Sequence, residues 1–176
     1  MFRGRKMVDF LTHKDSGIPG TNGWVVSAAR LREDLYHLVT ILDTDRYYWH
    51  FDLGIGELQK EFEQGELDHA LITIAIRARM LSDHKSPRPK SASKPCGSLF
   101  IIDTRKDNDG RPLTLRDGCN KIIHAETREF QEREDGQYLT GSVLLKGTQL
   151  GKKWRAELNT FKFVKLILAL GRELES

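Results

Sequence analysis

The sequence predicts an α+β domain: a mainly helical body with a small three-stranded antiparallel sheet and a C-terminal helix. Two observations carry this. Leucines recur at helical spacing in the front half, at 31, 35, 38 and 42 and again at 67, 71 and onward. Near the back the period changes to two: Trp154, Ala156 and Leu158 alternate with Arg155, Glu157 and Asn159. The 176 residues fit a single domain over 1–176, and a chain this long buries a core without staples. A hydrophobic fraction of 39% with 30% charged residues is that of a globular protein, and the net charge of +3 permits an anionic partner without demanding one.

The elements follow in order. Residues 17–23 hold three glycines at spacing three and a proline, which marks a loop; no Lys-Ser or Lys-Thr follows, so it is not a phosphate-binding loop. Ser27 caps a first helix over 28–43. The aromatic segment YYWHF at 47–51 is expected to pack under its end, the alternative being that its rings stack on bases. A second helix starts near Ile55, has a weak point at Gln64-Gly65, and carries a stripe of Leu67, Leu71, Ile74, Ala78 and Leu81. Residues 85–97 hold four cations, prolines and serines without one acid, and are expected to form an exposed basic loop, solvated or else touching phosphate backbones. A buried strand is expected over 98–103. A third helix is expected over 113–135 with Thr114 as its cap, then strands over 138–146 and 152–159 with Gly147 and Gly151 flanking their turn. A final helix begins near Thr160 and buries Phe163, Val164, Ile167, Leu168 and Leu170.

Two cysteines, Cys96 in a polar loop and Cys119 in a helix, read as free thiols of a reducing compartment. No apolar run is long enough to cross a bilayer, and the start MFRGRKMVDFL lacks a secretory signal, so a cytoplasmic location without membrane contact is expected. No CxxC, HExxH or close metal-ligand cluster occurs, so neither a metal nor another cofactor is expected.

The third helix carries the chemistry. Arg116, Asn120 and His124 are spaced by four, so a guanidinium, an amide and an imidazole form one ridge beside the apolar side of Leu115, Cys119 and Ile122. Arginine holds phosphate in two-pronged fashion and histidine exchanges protons near neutral pH. Lys121 adds a cation. The same residues also fit a structural role, with Asn120 and His124 satisfied by backbone groups and Arg116 as a surface ion-pair partner.

The string LRDGCNKIIHA resembles a segment of bacterial proteins without an assigned activity. It also resembles HEPN domains, helical modules of toxin–antitoxin and phage-defence systems, many of them metal-independent ribonucleases. That resemblance implies Arg116 as the phosphate-binding residue, Asp117 as its polar follower and His124 as the group assisting attack by a ribose 2′-hydroxyl. It implies a homodimer and RNA as partners. The expected function is a binding or regulatory module of a defence or mobile-element system; the alternative is a HEPN-like ribonuclease using Arg116, Asn120 and His124.

Overall fold

The computed structural model describes residues 27–48, 55–103, 106–107, 110–132 and 139–175. The glycine run at 17–23 and the side chains of the aromatic cluster at 47–51 lie outside the described residues. The described elements are α1 (Ala28–Tyr48), α2 (Ile55–His84), β1 (Pro95–Asp103), β2 (Lys106–Asp107), β3 (Arg111–Thr114), α3 (Leu115–Ile123), β4 (Thr127–Glu132), β5 (Leu139–Gln149), β6 (Lys152–Asn159) and α4 (Thr160–Glu175). Ser27 caps α1 as expected, its Oγ accepting from Arg30 N at 3.2 Å. Helix α2 runs through Gly65 without interruption. Arg77 of α2 pairs with Asp34 of α1.

The expected small three-stranded sheet is corrected. One antiparallel sheet holds six strands in the order β2-β1-β6-β5-β4, and β3 also pairs with β1. The three expected strands are its centre. The additions are the short β2 and β3 and, on the far edge, β4. The stretch 126–135 was expected as the charged tail of the third helix. Instead the helix ends at Ile123 and the chain turns into β4. Within β4, Arg128 and Phe130 are half-buried while Thr127, Glu129 and Gln131 are exposed. That is the period of a strand with one face in the core, hidden in the sequence by Arg128 at a position where an apolar residue would have declared it. Pairing of Thr127 with Lys146 and Phe130 with Val143 fixes its register.

The helices cover one face of the sheet. Leu99, Val143, Leu145, Trp154, Ala156 and Leu158 from the sheet join Leu31, Leu35 and Leu38, the α2 stripe, and Phe163, Ile167 and Leu170 in one buried cluster. Lys153, Arg155 and Glu157 stand exposed on the other face. On α4, Leu168 departs from the expected buried face and is 37% exposed.

The segment 85–97 is not a plain exposed loop. Lys90–Ser93 form a 3-10 turn in which Ser91 and Ala92 are buried, and the N–H groups of Lys90 and Ser91 donate to the Glu173 carboxylate at 2.6 and 3.1 Å. Cys96, expected in a polar loop, is a buried residue of β1. The turn between β5 and β6 is two residues, Leu150 and Gly151, both with positive φ (52° and 75°), which suits the twist of an antiparallel hairpin. Gly147 does not flank this turn. It lies inside β5 opposite Trp154, and a Cβ there would be 2.6 Å from the indole Cζ2. Among the described residues no helix is long and apolar enough to cross a membrane.

These placements separate two α4 residues that the sequence puts on one face. Phe163→Ala is expected to lower unfolding stability by about 3–5 kcal/mol, and Leu168→Ala by less than about 1 kcal/mol, in urea titrations followed by circular dichroism.

Candidate functional site

The nine residues of α3 are held at both ends. At the start, Thr114 Oγ1 accepts from Asp117 N at 3.2 Å, so Thr114 is the cap the sequence names. The Leu115 N–H donates to Lys94 O at 2.8 Å and ties the first turn to the chain entering β1. At the end, His124 is the C-terminal cap and its N–H donates to Asn120 O at 3.1 Å. Two residues later Glu126 N donates to Lys146 O at 2.8 Å, which starts the pairing with β5. Leu115, Cys119 and Ile122 are buried and form the anchoring side.

The expected ridge of Arg116, Asn120 and His124 is divided. Arg116 turns toward α2, where its Nε donates to Asp83 Oδ1 at 3.2 Å; Asp83 also accepts from Arg79 Nε at 2.7 Å. Burial pushes the Asp83 carboxyl up, and the hydrogen bonds and charges of Arg79 and Arg116 outweigh it, so the group is held below its ordinary value. Arg116 is thereby occupied in a structural pair.

Asp117, Asn120, Lys121 and His124 form a different stripe, at spacings of three, four and seven, and these four line one cavity of about 610 Å³. The opposite wall comes from the sheet. Arg111 enters from β3, Thr148 and Gln149 from β5, Leu150 from the hairpin turn and Trp154 from β6. No pattern in the sequence pointed to these five, since they reach the cavity only through strand pairing. Arg111 belongs to a four-residue strand too short to show a period. The Trp154 alternation indicated burial but not that its ring would carry a charge.

Lys121 is the centre of the cavity's electrostatics. It is only 9% exposed. Its Nζ donates to Gln149 Oε1 at 2.8 Å and lies 4.2 Å from the centre of the Trp154 ring. The indole face and the amide oxygen both stabilise an ammonium. Acting against them, burial and then the nearby Arg111 charge push its pKa below the ordinary lysine value, with Asp117 opposing the shift. Arg111 is loosely paired with Asp117 at 3.9 Å, its side chain 61% exposed. Two cations and one carboxylate therefore face this cavity, with the carboxylate beside Arg111.

The cavity offers ion pairing and hydrogen bonding from both walls. His124 stands exposed at its edge. The cysteines offer no nucleophile: both are buried and free, burial pushes the Cys96 thiol up to about 12, and Cys119 is pushed up by burial as well. Among the described residues no group of three or more His, Cys, Asp or Glu side chains could hold a metal ion.

The Lys121 shift has a definite consequence for stability. A lysine whose folded pKa is depressed binds fewer protons in the native than in the unfolded chain across the window between the two values, so stability rises with pH there. The unfolding free energy of the native chain minus that of Lys121→Met is expected to increase as the pH rises toward the ordinary lysine value of about 10.4. Urea titrations at several pH values measure it, and a difference that stays flat or falls contradicts the assignment. Comparison of the chain with family models, with curated proteins and with solved structures finds no match.

Proposed function

We propose that this chain is a binding module whose cavity, between α3 and the β5–β6 hairpin, holds a small anionic ligand. The observation that carries the reading is the buried Lys121 ammonium, fixed by Gln149 and Trp154 beside Arg111. Keeping one cation near another in a partly dry site is unfavourable. An anion entering between them offsets that repulsion and takes charge-assisted hydrogen bonds from both. The cavity volume is within the range of small-molecule sites, roughly 300–1,000 Å³.

The ribonuclease alternative asks Arg116 and His124 to act on one phosphate. Arg116 bonded to Asp83 outside the cavity supports binding in preference to that chemistry.

Inorganic phosphate is the probe for the reading. Scanning fluorimetry at constant ionic strength is expected to show an upward shift in Tm on replacing chloride by phosphate, by roughly 2–4 °C per kcal/mol of linked binding. Lys121→Met and Arg111→Met are each expected to abolish most of the shift. Equal shifts in chloride and phosphate, or a shift retained in both variants, would sink the assignment. Labelled RNA incubated with the protein is expected to stay intact; cleavage that disappears in His124→Ala would replace the binding reading with the enzymatic one.

A further inference from the structure

The chemistry of the cavity wall says more about the ligand than its charge. Small-molecule sites are ordinarily walled mainly by apolar and aromatic side chains, with a few polar groups that set orientation. Here the proportion is reversed. Leu150 and Trp154 are the apolar members of the lining. Trp154 is 2% exposed and its ring already carries the Lys121 ammonium at 4.2 Å, so it has no face for a ligand to stack on. Leu150 is at the hairpin turn and 97% exposed, so it forms no apolar trough. A nucleobase needs a flat face to stack on and an acyl chain needs an apolar trough. This wall supplies neither.

It supplies groups that bind hydroxyls. Asn120 brings an amide with donors and an acceptor, Thr148 a hydroxyl that does both, and His124 an imidazole. Gln149 spends its carbonyl oxygen on Lys121, which turns its amide nitrogen into the part left to donate. The Asp117 carboxylate, 3.9 Å from the Arg111 guanidinium, can accept from hydroxyl donors. Alternating donors and acceptors of this kind match a ligand body that carries several hydroxyl groups. The Arg111 and Lys121 charges, supplied by a strand and a helix that meet at the cavity, match a dianionic end better than a neutral one.

We propose that the cavity takes a phosphorylated sugar, a polyhydroxylated body bearing one phosphate monoester, with Arg111 and Lys121 on the phosphate and Asn120, Thr148 and Gln149 on the hydroxyls. This rests on the anion-binding reading above and names the class of ligand for the same cavity. Asn120 and Thr148 are its specificity residues, since they distinguish the sugar phosphate from phosphate alone.

Isothermal titration calorimetry on the full chain tests it with inorganic phosphate, glucose, glucose 6-phosphate, ribose 5-phosphate, AMP and a short oligouridylate. At least one of the two sugar phosphates is expected to bind about tenfold tighter than inorganic phosphate, the worth of one or two extra hydrogen bonds. Glucose is expected to show no measurable heat of binding. Asn120→Ala and Thr148→Val, each verified as folded by circular dichroism, are expected to weaken the sugar phosphate more than phosphate. If phosphate binds and both sugar phosphates bind no tighter, the proposal is overturned while the anion site stands. If phosphate does not bind either, both are overturned. AMP or oligouridylate binding tighter than both sugar phosphates would overturn it in favour of a nucleotide or an RNA strand.

Discussion

The seating of α3 against α2 and the sheet is the constraint from which the site follows. Nine residues is too short for a helix to be stable alone. Its position is set by the Thr114 cap, by the Leu115 bond to Lys94, and by Leu115, Cys119 and Ile122 in the core. Once those three point inward, helical geometry leaves no freedom for the remainder. Asp117, Asn120, Lys121 and His124 must face the β5–β6 hairpin, and Arg116 must reach α2. Gly147 completes the fit, because its missing side chain lets the Trp154 ring lie against the strand, with the His124 carbonyl 3.2 Å from where a Cβ would be. The ring in turn is the surface on which Lys121 rests.

Burial explains why the two cations matter differently. Arg111 is mostly solvated, so its pair with Asp117 is a weak surface interaction. Lys121 is enclosed, and its charge interacts with its neighbours across less water. Gln149 and the Trp154 face hold it in place without neutralising it. A positive charge that is fixed in position and only partly compensated is the arrangement from which an anion gains most, because the protein has already met the cost of ordering it.

The sequence was legible where one period dominated. The Leu31, Leu35, Leu38 and Leu42 stripe, the α2 stripe and the Trp154, Ala156 and Leu158 alternation were each readable, and all of these are buried except Leu42, which is partly buried. It was illegible where polar residues occupy strands. In β4, TREFQE, a single aromatic sits among charges, and β3 has only four residues. Counting in fours along α3 joins Arg116 to Asn120 and His124. The α3 residues that line the cavity are Asp117, Asn120, Lys121 and His124, and only the direction of the helix's buried face shows that Arg116 points elsewhere. Of the partners across the cavity, Thr148 and Gln149 fall where the sequence places a turn, and Arg111 lies in a strand too short to show a period.

Lys121, as a fixed cation that an anion would complete, can itself report on the binding. Carbon-detected NMR of side-chain Cε signals, assigned to Lys121 by comparison with Lys121→Arg, follows its titration with and without phosphate. The account requires Lys121 to lose its proton at lower pH than the exposed lysines in the free protein, and phosphate to move that titration upward while leaving the other lysines in place. A Lys121 that titrates with the rest and ignores phosphate would contradict it.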